Sequence, residues 1–183
     1  MAEKKNKLCV LFPGRNYSCD KPLLYYAGRA FSLRGYEIIN LDYNSVLKGD
    51  KEDIPSLIEQ AWAYTREALK EIIFSDYEDV VFVSKSIGTA VAGKTAAEFY
   101  KRARHIYLTP VAEALVYMKR GTCLVVAGKE DKILEARKLK IYCAGEDIAL
   151  KQFDDVGHSL EDFKDMSKTL AILTVIIRMY GEF

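Results

Sequence analysis

Residues 80–95 read VVFVSKSIGTAVAGKT. Four apolar residues, Val80 to Val83, make a short strand buried on both faces. Thr89 to Tyr100 then has the alanine-rich composition of a helix. The join between them fits two chemistries. From Gly88 the chain reads G-T-A-V-A-G-K-T, which fits the spacing of a phosphate-binding loop. From Ser84 it reads S-K-S-I-G, the form of a sharp turn that presents a serine hydroxyl.

Outward from this join, strand and helix alternate along the chain. Leu8 to Phe12 is a buried strand closed by Pro13-Gly14, and Asp20 with Pro22 opens a helix that reaches Leu33. Tyr36 to Leu41 is a second strand, and 42–53 is a polar loop. One long helix is expected from Ile54 to Phe74. Further strands are expected at 105–108, 122–127 and 148–153, with a helix from Ile133 to Tyr142 and a closing helix from Leu160 to Tyr180. This pattern predicts an α/β fold: a mostly parallel six-stranded sheet with helices on both faces, spread over one domain of 183 residues. Functional groups then collect beyond the carboxyl ends of the strands.

The net charge of +1 offers no concentrated basic excess for nucleic acid. The start, MAEKKNK, has no secretory pattern, and the apolar stretch 169–177 is too short to span a bilayer. A cytoplasmic protein with no membrane partner is the expectation. The four cysteines match no zinc spacing and read as free thiols, with Cys19 in a loop as the one with a minor reactive alternative.

A serine nucleophile needs a base, commonly a histidine held by a carboxylate. Only His105 and His158 are present. His105 opens a strand, at the wrong end of the sheet; His158 follows the last strand, at the right end. Asp131 follows the preceding strand, with Glu130, Asp154 and Asp155 as competing carboxylates. Ser86, Asp131 and His158 thus follow three different strands in that order.

This arrangement resembles the α/β-hydrolase family over nearly the whole chain, and within it the small, lidless, dienelactone-hydrolase-like enzymes. The resemblance rests on Ser84-Lys85-Ser86-Ile87-Gly88 as nucleophile elbow, on 126–131 (VAGKED) as acid loop and on 156–159 (VGHS) as histidine loop. Serine replaces the first glycine of the usual G-x-S-x-G. The resemblance implies a minimal fold lacking the family's first two strands and a serine hydrolase cleaving carboxylic esters or thioesters. It implies Ser86 as nucleophile, His158 as base and Asp131 as its orienting acid. Backbone N–H groups of Ile87 and Arg15 are implied as oxyanion donors, and Gly14, Asn16 and Tyr17 as substrate-binding residues. No metal and no cofactor are implied, and the partner is a small-molecule ester.

Neighbouring residues have plainer readings. Ser86 could be a simple helix N-cap, Lys85 is expected at the site mouth or in solvent, and Lys94 on a solvent-facing helix side. Gly93 is expected to bring its helix close to the sheet, and 101–104 to be a solvated basic helix end. Nucleotide binding at 88–95 and a catalytically inactive binding module remain the alternatives to an enzyme.

Overall fold

The computed structural model describes residues 6–50 and 53–183. Met1 to Lys5 of the charged start, and Lys51 and Glu52 of the 42–53 loop, lie outside the described residues. Six strands form one sheet: β1 (Lys7–Phe12), β2 (Tyr36–Asn40), β3 (Asp79–Lys85), β4 (Arg104–Leu108), β5 (Cys123–Gly128) and β6 (Ala149–Phe153). Their order is β2-β1-β3-β4-β5-β6, and every neighbouring pair is parallel. Among the described residues five α-helices surround it: α1 (Pro22–Leu33), α2 (Ile54–Leu69), α3 (Ile87–Phe99), α4 (Ala136–Gly145) and α5 (Met166–Glu182).

The strand pleat divides the apolar residues between two layers. Leu8, Val10, Phe12 and Phe82 pack in one core with Leu57 and Ala61 of α2, Ala90 of α3 and Leu139 of α4. Cys9, Leu11, Val81 and Val83 pack in the other with Leu24 and Phe31 of α1 and Ile172 and Ile176 of α5. Burial on both faces explains why VVFV carries no polar alternation, whereas the edge strands β2 and β6 are only partly covered.

Several boundaries differ from the sequence reading. α2 stops at Leu69 rather than Phe74, and Phe74 turns in through a short 3-10 helix (Phe74–Asp76) to lie against the Phe82 ring at 5.9 Å. The closing helix starts at Met166 rather than Leu160. Leu160 has a positive φ of 61°, and Asp165 caps the helix by accepting from the N–H groups of Ser167 and Lys168. α4 likewise begins at Ala136. Lys21, not Asp20, is the N-cap of α1, and no side chain caps it. Arg104 is no solvated helix end. It opens β4 and pairs with Asp79 at 2.6 Å, tying β4 to β3. Gly93 faces the Tyr117 side chain of a 3-10 helix (Ala112–Tyr117) rather than the sheet.

Two glycines set how closely elements meet at the carboxyl rim. A Cβ on Gly88 would collide with the carbonyl oxygens of Phe12 and Pro13, so the start of α3 lies directly on the end of β1. A Cβ on Gly128 would collide with the carbonyls of Val156 and Gly157. Both obstacles are backbone and cannot swing aside. Gly128→Ala is therefore expected to destabilise the fold by about 1–3 kcal/mol and to push the 154–159 loop outward. Chemical denaturation and the His158 NMR signals check both effects.

Candidate active site

The five parallel pairings bring the ends of β1, β3, β4, β5 and β6 to one rim. At the end of β3 the backbone turns sharply. Ser86 has φ 55° and ψ −127°, a conformation that costs a non-glycine residue about 1–3 kcal/mol. Its N–H donates to Leu108 O at 3.1 Å, and its carbonyl accepts from Thr89 N at 2.9 Å, so strand β4 and helix α3 together hold the turn. The Ser86 hydroxyl makes no capping bond to α3, which sets aside the simple N-cap reading. Ser84 fills the place of the missing first glycine. It is fully buried, and its hydroxyl donates to Ile106 O at 3.3 Å.

The hydroxyl of Ser86 lies 2.9 Å from His158 Nε2, and His158 Nδ1 lies 2.9 Å from Asp131 Oδ2. A carboxylate only accepts, so Nδ1 carries the proton, and Nε2 is left to accept from the serine. The second Asp131 oxygen accepts from Ile133 N at 2.9 Å. The competing carboxylates are engaged elsewhere: Asp154 pairs with Lys129 at 2.6 Å and Asp155 with Lys168 at 2.8 Å, while Glu130 is exposed. His105 is buried at the opposite end, its ring stacked on Tyr107 at 4.9 Å, and burial pushes its pKa down to about 3.

Gly14, Arg15, Asn16 and Tyr17 form a tight turn beside Ser86, closed by mutual backbone bonds between Gly14 and Tyr17. A Cβ on Gly14 would come 3.0 Å from the Ser86 Cβ. The N–H groups of Arg15 and Ile87 donate to no acceptor among the described residues. The Arg15 side chain donates to Gly49 O at 3.0 Å, while its buried Nη1 has no partner among the described residues. Tyr17 OH accepts from Leu23 N at 3.0 Å, and burial raises that hydroxyl to about 12. Asn16 is exposed.

Ser86 and His158 lie between two recesses. One, of about 730 Å³, is bounded by Tyr17, Lys85, Glu130 and Phe163. The other, of about 510 Å³, is bounded by Ile54, Leu57, Val111 and Ile133. Between β4 and β5 the chain carries only the short 3-10 helix, packed on α3.

Two expectations about neighbours are corrected. Lys85 points neither to the mouth nor to solvent. It is buried, and its Nζ donates to Thr109 Oγ1 at 2.6 Å and to His158 O at 2.8 Å. A lysine at the end of an apolar strand reads as an exit to water, so composition alone gave no signal for this. Cys19 is no reactive loop thiol: it is buried against Leu41 O, and burial raises it to about 12.

Residues 88–95 continue α3 as regular helix rather than curling round an anion. Thr95 is buried with its hydroxyl on Val91 O at 2.8 Å, and Lys94, only partly exposed, pairs with Glu59 at 2.5 Å. Neither is placed as a phosphate loop needs. Among the described residues no three His, Cys, Asp or Glu side chains gather to hold a metal, and no helix is long and apolar enough to cross a membrane.

No protein-family model matches the sequence, and no curated protein matches it. Solved structures do match. A protein from Xanthomonas campestris pv. campestris assigned to the alpha/beta hydrolase superfamily superposes with a TM-score of 0.67 at 15% identity, covering 97% of this chain and 99% of that one. A lidless α/β serine hydrolase from Xanthomonas campestris gives 0.65 at 16% identity, covering 98% and 84%. Est1E from Butyrivibrio proteoclasticus, with ferulic acid bound, gives 0.68 at 12% identity, covering 100% and 89%. The chain has the α/β-hydrolase fold.

Burial, more than any other influence, lowers the pKa of His158 below its ordinary 6.5, with the nearby Lys85 cation adding to it and the Asp131 bond opposing. With two histidines in the chain, NMR resolves both imidazoles. His158 is expected to titrate below 6.5, and His105 to stay neutral down to about pH 3. Asp131→Asn removes the opposing influence and is expected to move His158 lower still.

Proposed function

We propose that the protein is a serine hydrolase that cleaves carboxylic esters or thioesters through an acyl-enzyme on Ser86. The observation that carries this reading is the unbroken chain from Ser86 Oγ through the His158 ring to Asp131, 2.9 Å at each step. It hangs on a serine whose strained backbone the fold holds in place.

In this mechanism His158 Nε2 takes the hydroxyl proton as Ser86 Oγ attacks the carbonyl carbon. The tetrahedral oxyanion is met by the N–H groups of Ile87 and Arg15, which no other described group uses. His158 then gives its proton to the leaving oxygen or sulfur. Water, deprotonated by the same ring, releases the acid. Asp131 stays ionised, keeps the proton on Nδ1 and stabilises the imidazolium. Asn16 and Tyr17 line the recess beside Ser86 in which an ester would sit, and Gly14 packs directly under the serine. The ferulic acid held by Est1E, on a similar fold, shows one acid that such a scaffold accommodates.

Fluorophosphonate labelling is the direct test. The wild type is expected to be modified on Ser86, and Ser86→Ala to stay unlabelled; an unlabelled wild type favours an inactive binding module. p-Nitrophenyl esters of graded chain length then define the acyl preference. Asp131→Asn is expected to lower kcat by about 10³–10⁴-fold with the fold intact. Because the base works only when neutral, kcat/KM is expected to fall on acidification through a limb below pH 6.5, the direction in which His158 is shifted.

A further inference from the structure

Lys85 is the last residue of β3, directly before Ser86, and only 2% of its surface is exposed. A buried ammonium is costly to hold unless its neighbours compensate. Here the contacts are mostly neutral. Nζ donates to Thr109 Oγ1 at 2.6 Å and to the main-chain carbonyl of His158 at 2.8 Å, and it lies 5.3 Å from the centre of the Tyr17 ring. The carboxylates of Asp131 and Glu161 act on it through space. Its two hydrogen bonds join the end of β3, the end of β4 and the loop after β6. Thr109 is itself held at a positive φ of 42°.

We propose that Lys85 is a positioning residue: its Nζ clamps the His158 main chain to the ends of β3 and β4 and places a titratable amine in the same buried cluster as the imidazole that accepts the serine proton. This rests on the hydrolase reading given above. A residue that only filled space here would need no charge, since methionine matches its length. The donor goes instead to the carbonyl of the one residue whose ring must take a proton.

Arg15, Glu130 and Lys132 line the recesses that His158 borders, and the remaining groups facing the pair come from four elements. Tyr17 comes from the β1–α1 loop, Thr109 from the end of β4, Asp131 from the β5–α4 loop and Glu161 from the segment before α5. Asp131 favours a charged imidazole, and Lys85 opposes it. Burial pulls Lys85 down to about 7, so its charge grows as the pH falls through that value and nears completion about a unit below it, as the imidazole begins to face protonation. The cation is thus present where it is needed.

The test compares wild type, Lys85→Met and Lys85→Gln. Glutamine keeps a donor of similar reach without the charge, and it serves if the methionine variant does not fold. Thermal unfolding establishes which variants are folded. In a folded variant kcat for a p-nitrophenyl ester is expected to drop by roughly tenfold or more, with KM changed less. The acid limb of kcat/KM and the NMR titration of His158 are both expected to move to higher pH. A folded Lys85→Gln whose imidazole titrates at the wild-type pH overturns the proposal, whatever its rate. If the wild type neither labels nor turns over, the hydrolase reading falls, and the imidazole titration still decides whether Lys85 acts on His158.

Discussion

The constraint on which the site depends is the backbone of Ser86. A residue with φ near 55° does not stay there unaided. It is fixed from three sides: the Leu108 carbonyl receives its N–H, the first turn of α3 takes its carbonyl, and Gly88 presses on the end of β1. Each support comes from a different strand or helix. The strain is therefore sustained by the sheet as a whole. A hydroxyl carried on an ordinary helix cap would bond its own helix; this one is turned away from α3 and towards another loop.

The same geometry explains how far the sequence could be read. VVFV, LCVLF and HIYL are apolar because both faces of a central parallel strand are covered, so strand positions and sheet type follow from composition. Once the sheet is parallel, loops after different strands share a rim, and Ser86, Asp131 and His158 can be nominated together. What the sequence hides depends on contacts made across the fold. Leu160 looks like a helix start by its apolar spacing, but Asp165 offers the better cap, and the chain between them is held by turns. Gly93 has no sequence neighbour that reveals Tyr117. Lys85 is the instructive case. Its burial depends on acceptors 24 and 73 residues away, so only the folded chain shows that it points inward.

The electrostatics of the rim turn on which influence wins at His158. Asp131 alone would make the ring a stronger base, and a ring protonated at rest could not accept from serine. Burial works the other way and is the largest of the influences, with the Lys85 cation on the same side. The balance leaves a neutral imidazole with a carboxylate behind it. On the hydrolase reading proposed above, Asp131 then stabilises the charge when it forms, without fixing that charge beforehand. This division of labour requires the aspartate to be withdrawn and fully bonded, as its 6% exposure and its two acceptor contacts make it. It also requires the histidine to remain within reach of the cleft, and 23% of its side chain stays open to solvent. A buried acid, a half-buried base and a strained serine form a gradient from the interior to the surface, and on the hydrolase reading the proton moves only at its outer end, between Ser86 and His158.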